Sequence, residues 1–399
     1  MTMCAPFEPC DVVIIGAGIG GLTSALALQR QGFKVAVFEE AQTFGEVGAG
    51  ITLGSTACRG LYALGLREDI EREADAPQVA IAVNYLTGEP EGARSINAAK
   101  AQRVENPFYR QMHRADLHRI LLDAVRAHDP GAVTTGCKLI GYEPDGAGVT
   151  ARFSHGGAAR GTLMIGADGI NSVVRGQMFG VENARFTHQV AYRFLAPMEA
   201  ARPFMSIGAS VKYAAPLQSL LRYAVRKGAL VNGVAFVHTD SWRSEGWSTP
   251  ASTEELLSLF QGWHPDVLGL IRAAPVDGTR KWALFDRDPL SVWTQGRVAL
   301  LGDAAHPMLP FLGLGAAMGI EDAVVLGRAL GAAGLTPAGL KLYEAARKDR
   351  AAAVLLGSRC EGEIRSMPNP DAETLANRPS ADIRFLNYDP VTAPLPVPA

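Results

Sequence analysis

Six residues near the start of the chain, Gly16-Ala17-Gly18-Ile19-Gly20-Gly21, stand between an apolar run, Val12 to Ile15, and a helical pattern, Ile19 to Gln31. A second apolar run, Lys34 to Phe38, follows. Strand, glycine turn, helix and strand within about thirty residues make a β-α-β unit, which commits this part of the chain to a parallel sheet. In such a turn Gly16 permits the tight bend, Gly18 lets a pyrophosphate approach the backbone, and Gly21 lets the helix pack close on the sheet. The helix N-terminus offers unpaired N–H groups to that negative charge. Glu39, at the end of the second strand, is placed to accept hydrogen bonds from a ribose, which favours a free 2′-hydroxyl, as in FAD or NAD, over NADP.

Glycine is in excess over the whole chain, 43 of 399 residues, where about 7% is usual. Fourteen of these glycines fall in four short segments, 16–21, 45–54, 166–169 and 302–319, which predicts one extended groove where backbone meets a ligand closely. The formal charge of −2, from 38 basic and 40 acidic residues, provides no positive field for nucleic acid or a lipid surface. No run approaches the ~20 uninterrupted apolar residues of a membrane span, and no basic n-region precedes Val12, so neither a membrane nor a secretory signal is expected. Five cysteines without C-x-x-C spacing suggest no disulfide framework and no metal site. The expected compartment is the cytoplasm.

Later segments change character. Arg114 to His128 reads as an amphipathic helix with Leu117, Ile120, Leu121 and Val125 on one face. Lys138 to Ile165 alternates short strands with turns such as Asp145-Gly146-Ala147-Gly148. From about 181 to 289 the runs Gln189–Leu195, Leu220–Val225 and Leu230–Val237, with Arg226-Lys227-Gly228 turning between two of them, predict a mainly antiparallel layer. Ser252-Thr253-Glu254-Glu255 has capping-box spacing and opens a helix to about Gln261. A buried strand type returns in Arg297–Leu301, and a helix begins near Gly315. The expected class is α/β: a discontinuous Rossmann-type domain (1–75, 100–180 and 290–365), an inserted antiparallel substrate domain (76–99 and 181–289), C-terminal helices, and an extension (366–399). Its Pro-rich end, Pro390 to Ala399, reads as an unpacked surface tail.

Two further segments, Gly166-Ala167-Asp168-Gly169 running on to Arg175, and Gly302-Asp303-Ala304-Ala305-His306-Pro307 with Gly313-Leu314-Gly315, carry a resemblance. With these, and with Gly48-Ala49-Gly50-Ile51, His113-Arg114-Ala115-Asp116, Trp263-His264-Pro265, Glu321-Asp322-Ala323 and a loose Asn387-Tyr388-Asp389 in the same order, the chain resembles the single-component FAD-dependent aromatic hydroxylases. That group contains salicylate hydroxylase, 3-hydroxybenzoate 6-hydroxylase and 6-hydroxynicotinate 3-monooxygenase. The resemblance implies FAD, with Gly16, Gly18, Gly21 and Gly50 against it and Glu39 and Glu40 at its adenosine ribose. It also implies Arg114 at the pyrophosphate, the Leu139 backbone near the adenine and Asp303 on the ribityl chain. Amides around Gly315 and Ala316 would face the flavin pyrimidine edge, and Asp168 would serve both FAD and a nicotinamide cofactor. No second G-x-G-x-x-G is present, so NAD(P)H is expected to visit transiently.

The implied reaction is hydroxylation of a small aromatic or heteroaromatic substrate, a hydroxybenzoate, aminobenzoate or hydroxypyridine, with O2 and NAD(P)H through a flavin C4a-hydroperoxide. Tyr223 aligns with a tyrosine that such enzymes place beside the substrate; Thr52, His306 and Pro307 complete the expected catalytic set. Tyr192, Arg193, Lys212 and Arg222 are candidates for a substrate carboxylate, and Phe311 for the pocket wall. Thr52 stands where hydroxynicotinate hydroxylases have histidine, Gly313-Leu314-Gly315 where many relatives have Ala-Gln-Gly, and Phe311 where some carry a polar residue. His306 alternatively fixes its loop through hydrogen bonds. A flavin oxidase or dehydrogenase, or an idle flavin-binding protein, is the competing reading; a monomer or homodimer is expected.

Overall fold

The computed structural model describes residues 7–45, 49–95, 109–180, 184–208, 210–240, 249–379 and 383–396. Gly48 of the Gly48–Ile51 motif, residues 96–99 and the start of the expected insertion at 181–183 lie outside them.

The first sheet grows from the glycine motif. Strand Cys10–Ile15 pairs in parallel with Val35–Phe38 on one side and with Ala158–Gly166 on the other, and the parallel set extends to Val133–Thr134 and Val298–Leu300. Val12, Val13 and Ile14 are fully buried, as expected of a strand covered on both faces. The hairpin strands Leu139–Pro144 and Val149–Phe153 join antiparallel to Ala158–Gly166. Helix Ile19–Gln29 stops short of Gln31 because Gly32, at φ +86°, turns left-handed and brings the Phe33 amide back to the Leu28 carbonyl. Helix Arg114–His128 has the bounds expected from its periodicity, with His113 accepting from the Ala115 amide as its cap.

Helices Ile19–Gln29 and Gly315–Ala333 pack directly, and glycine sets how closely. A Cβ placed on Gly20 would lie 3.9 Å from Gly319 Cα, and one on Gly302 would lie 3.7 Å from the same atom. Gly21 is tighter still, since a Cβ there would overlap the Gly16 carbonyl oxygen.

The second sheet runs Thr249–Ala251, Thr279–Asp286, Arg185–Pro197, Leu230–His238, Gln218–Val225, Ser210–Ala215, Val79–Asn84, Pro90–Ser95, antiparallel except where Val79–Asn84 pairs in parallel with Ser210–Ala215. One face buries Val190, Tyr192, Phe194, Tyr213 and Leu220 against helices Thr253–Leu259 and Pro265–Arg272. The other meets the first half of the molecule through Ala191, Leu284, Phe236 and Trp282, which pack with Leu309 and Phe311. The turn Arg226-Lys227-Gly228 is left-handed throughout (φ 54°, 54° and 78°). It is held by the first half: the Arg226 guanidinium donates to both Asp116 carboxylate oxygens at 3.1 and 3.2 Å, and Lys227 Nζ donates to the Ala74 carbonyl at 2.8 Å.

The Pro-rich end departs from expectation. Prolines cannot supply a ladder of N–H donors, but their carbonyls remain acceptors. Arg328 donates to the carbonyls of Pro390 and Ala393 at 2.8 and 2.7 Å, and Val391 and Leu395 pack on the main core. The described part of the segment, through residue 396, is docked and not a free tail.

Gly21→Ala should lower stability by about 3 kcal/mol, seen as a lower urea midpoint. Gly18→Ala, whose Cβ meets nothing within 4 Å, should leave that midpoint in place.

Candidate active site

Three charged side chains from separate elements face one groove. Glu39 leaves the end of its strand and accepts from the Ala17 amide, inside the glycine turn, at 2.8 Å and from the Ala41 amide at 3.0 Å. Arg114 opens its helix, and among the described residues its guanidinium makes no hydrogen bond to protein. Burial lowers its pKa, while the charges of Asp303 and Glu39 oppose that shift. The Asp303 carboxylate is open to solvent within the groove but ringed by protein. That enclosure raises its pKa, against the pull of His306 and Arg114. Glu40 lies exposed beyond Glu39. Leu139 buries its side chain, and its strand begins two residues after Cys137, whose amide donates to the Glu39 carbonyl at 2.8 Å.

The groove ends at helix Gly315–Ala333. Its first helical bond runs from the Met318 amide to the Leu314 carbonyl, and no side chain caps it, so the amides of Gly315, Ala316 and Ala317 remain as donors. A Cβ on Gly18 or Gly315 would project into open space. Backbone donors at both ends, an unbonded guanidinium in the field of two carboxylates, and glycines facing space fit an elongated, phosphate-bearing dinucleotide.

Beneath the groove lies a buried ionic cluster. His306, 2% exposed, places Nε2 2.5 Å from Asp322 Oδ2, which also accepts from the Gly302 amide at 3.1 Å. Arg347 donates from Nε to Asp322 Oδ1 and from Nη2 to Glu321, both at 2.8 Å. Tyr388 of the loose Asn387-Tyr388-Asp389 motif lies 4.8 Å over the Arg347 guanidinium and 4.9 Å over that of Arg350. His306 thus fixes its loop through Nε2; Pro307 is buried beside it. Asp168 is turned inward: it accepts from Ser172 Oγ at 2.6 Å and from the Val174 amide at 3.1 Å, which fastens the Asp-Gly loop. Arg175 binds the carbonyls of Ile170 and Ala304.

Strand alternation divides the substrate candidates. Arg193 and Tyr223 point from the second sheet toward the groove, whereas Tyr192 and Arg222, one residue away on the same strands, point to the opposite face. There the Tyr192 hydroxyl donates to Glu255 at 2.8 Å, and Arg222 donates to the Gly208 carbonyl beside Tyr213. Neither can reach a ligand in the groove. Lys212 shares the inner face but opens into a different cavity, with Arg365 and Arg378. Phe311 places its ring 5.2 Å from that of Phe236, and Thr52 lies against Gly313, where a Cβ would be 3.4 Å from its hydroxyl oxygen.

Tyr223 is 3% exposed and packs against Gly50, where a Cβ would come 2.5 Å from its ring. The Gly50 amide donates to Asn232 at 2.7 Å, and Asn232 sits directly opposite Tyr223 in the sheet. Burial raises the Tyr223 pKa, against Arg193, so the phenol keeps its proton. Arg193 is poor in partners: its guanidinium lies 4.6 Å over the Trp282 ring, its Nε is buried without a hydrogen bond, and no carboxylate among the described residues pairs with it. Asn232, Trp282 and Tyr109, which lies close to Tyr223, escape motif reading. Only the pairing register, which puts Asn232 opposite Tyr223 and Trp282 opposite Ala191, points to the first two.

Residues 9–358 match the family described as FAD binding domain. The chain belongs to this FAD-binding family. It is 36% identical to 3-amino-4-hydroxybenzoate 2-monooxygenase PtnB3 of Streptomyces platensis, over 95% of this chain and 94% of the relative. It is 38% identical to 3-hydroxybenzoate 6-hydroxylase of Polaromonas naphthalenivorans, over 90% and 89%. A solved salicylate hydroxylase substrate complex superposes with a TM-score of 0.80 at 30% identity, over 98% of this chain and 99% of that one. The protein is an FAD-dependent monooxygenase, and the groove is where FAD fits. Among the described residues no helix is long and apolar enough to cross a membrane, and no cluster of three metal-ligating side chains occurs.

Arg347→Met removes one side of the buried cluster and leaves two carboxylates facing each other's field. Thermal unfolding should register a loss of about 3–5 kcal/mol, with FAD released at lower temperature than in the wild type.

Proposed function

We propose that this flavoprotein hydroxylates a small aromatic carboxylate bearing a ring hydroxyl or amino group, using O2 and NAD(P)H. Arg193 carries the reading. A guanidinium held under protein, stacked on Trp282 and without a carboxylate of its own, suits a carboxylate brought by the ligand. The named relatives act on an aminohydroxybenzoate and a hydroxybenzoate, which supports the same class.

Bound FAD supplies the redox chemistry and the activation of oxygen. The residues of this chain do the rest. Arg193 anchors the carboxylate, and the Trp282 ring beneath it limits where the guanidinium can swing. Tyr223, protonated because it is buried, donates to an oxygen on the ring and sets which carbon faces the flavin. Ala191, Leu284, Leu309 and Phe311, with Phe236, form an apolar wall that keeps water from the reacting atoms. At the other end, Arg114 and the amides of Gly315 and Ala316 hold the phosphates and the flavin edge. Asp303 serves the polar chain between them, and Glu39 with Glu40 serves the ribose. We place the enzyme in the cytoplasm, in keeping with Cys10, Cys58 and Cys360, which form no disulfide among the described residues, as a monomer or homodimer.

The test is NADH and NADPH oxidation, oxygen uptake and product yield on a panel of hydroxybenzoates, aminobenzoates and hydroxypyridines. Substrate-stimulated oxidation that yields only peroxide would sink the hydroxylase reading. Tyr223→Phe should keep its FAD and lose at least about tenfold in hydroxylated product per NAD(P)H consumed, one lost hydrogen bond's worth. Arg193→Met should raise KM for the carboxylate about 10- to 100-fold, as for a lost charge-assisted hydrogen bond, with an unchanged flavin spectrum in the absence of substrate.

A further inference from the structure

A cavity of about 270 Å3 lies between the inner face of the second sheet and the chain that follows helix Pro337–Arg365. It is just below the ~300 Å3 lower end of small-molecule pockets, a size for a single ring. Lys212, Ser219 and Phe236 form its floor; Arg365, Arg378 and Leu375 form its roof.

The charges around it do not balance. Arg365 and Arg378 both bond to one carboxylate, Glu361, and Lys212 makes no hydrogen bond among the described residues. Among the described residues, three cations thus face one anion. Burial, then the fields of Arg365 and Arg378, push the Lys212 ammonium down to about 7, with Glu361 alone opposing. An ammonium enclosed among apolar groups with two guanidiniums nearby gains from any anion that enters.

The cavity is not the Arg193 pocket. Lys212 and Arg193 lie in one row across the sheet with Leu221 and Val234 between them, roughly 14 Å apart at three strand spacings of ~4.8 Å. Phe236 lines the cavity, and its ring meets Phe311 in the wall of the reaction pocket. Arg365 in turn lies 5.1 Å over the Phe311 ring.

We propose that this cavity is a second acid-binding site, taking a one-ring aromatic carboxylate against Lys212, Arg365 and Arg378, on the far side of Phe236 and Phe311 from the reaction pocket. The choice of an aromatic acid rests on the function proposed above; the site itself rests on the cavity and its unbalanced cations. An acid held there touches Phe236, whose ring packs on Phe311 in the wall of the reacting centre, so it can wait beside the pocket or report to it.

Benzoate is the probe, used with the full-length FAD-loaded protein. Calorimetry should find two benzoates per chain in the wild type and one in Lys212→Met, or a second event weakened at least about tenfold. Lys212→Arg, which keeps the charge, should retain both. FAD content and melting temperature show that each variant is folded. The flavin absorbance change on titration reads the reaction pocket: it should persist in Lys212→Met and vanish in Arg193→Met, while the Lys212-dependent heat survives in the latter. The second event should also weaken as pH rises through about 7, because the ammonium is charged only below its pKa. A single binding event abolished by Arg193→Met, or a second event indifferent to Lys212→Met and to pH, would overturn the proposal. Failure of the aromatic-acid function looks different, with no flavin response to benzoate in the wild type while the Lys212-dependent heat remains.

Discussion

The fold around the cofactor depends on one carboxylate. Asp322 has no solvent exposure, and each of its oxygens is used: one accepts from Arg347, the other from His306 and from the Gly302 amide. Those four groups belong to helix Gly315–Ala333, helix Pro337–Arg365 and the loop that carries Asp303. That loop has only two three-residue helical turns of its own, Gly302–Ala304 and Pro310–Leu312. Burying a carboxylate costs several kcal/mol unless its partners are complete, and here they are. Burial acts to raise the Asp322 pKa, and His306 with Arg347 outweigh it, so the folded value lies below the ordinary one. The resulting stability is present above the unfolded-state pKa and is lost as pH falls through the depressed folded value.

Much of this was legible from the residues because it is local. A glycine turn between a strand and a helix has few alternatives, and the bounds of Arg114–His128 follow from a 3.6-residue stripe with a clear start. The side of the sheet that each candidate faces was not legible. Alternation guarantees that Tyr192 and Arg193 point oppositely, but both faces of the second sheet are covered, one by helices and one by the groove, so neither face reads as solvent. The same ambiguity moved Arg222 out of the site and left Tyr223 in it. Asp168 and His306 were drawn toward the ligand by motif, which does not show their bonds to Ser172 and Asp322, four and sixteen residues away.

The glycine excess divides in a similar way. At Gly18 and Gly315 a side chain would enter open space, as a ligand cradle requires; at Gly50 it would strike Tyr223. Gly50 therefore serves the seam between the halves, with its amide on Asn232 and its bare Cα under the phenol. The seam is closed again at the Arg226-Lys227-Gly228 turn, bound to Asp116 and Ala74. Together these contacts hold the Tyr223 ring against the first half of the molecule at one junction.

The parallel pairing of Val79–Asn84 with Ser210–Ala215 laces the two halves together. The strands at that edge come from chain that precedes helix Arg114–His128, and the chain then returns to the first sheet before it builds the rest of the second. No single cut separates the layers. A piece covering residues 185–286 alone would carry Ser210–Ala215 as a bare edge, an open template for pairing with other chains. The enzyme's two layers thus share one fate in synthesis and in evolution: the second sheet cannot be lifted onto another flavin domain as a cassette, and has to be altered residue by residue in place.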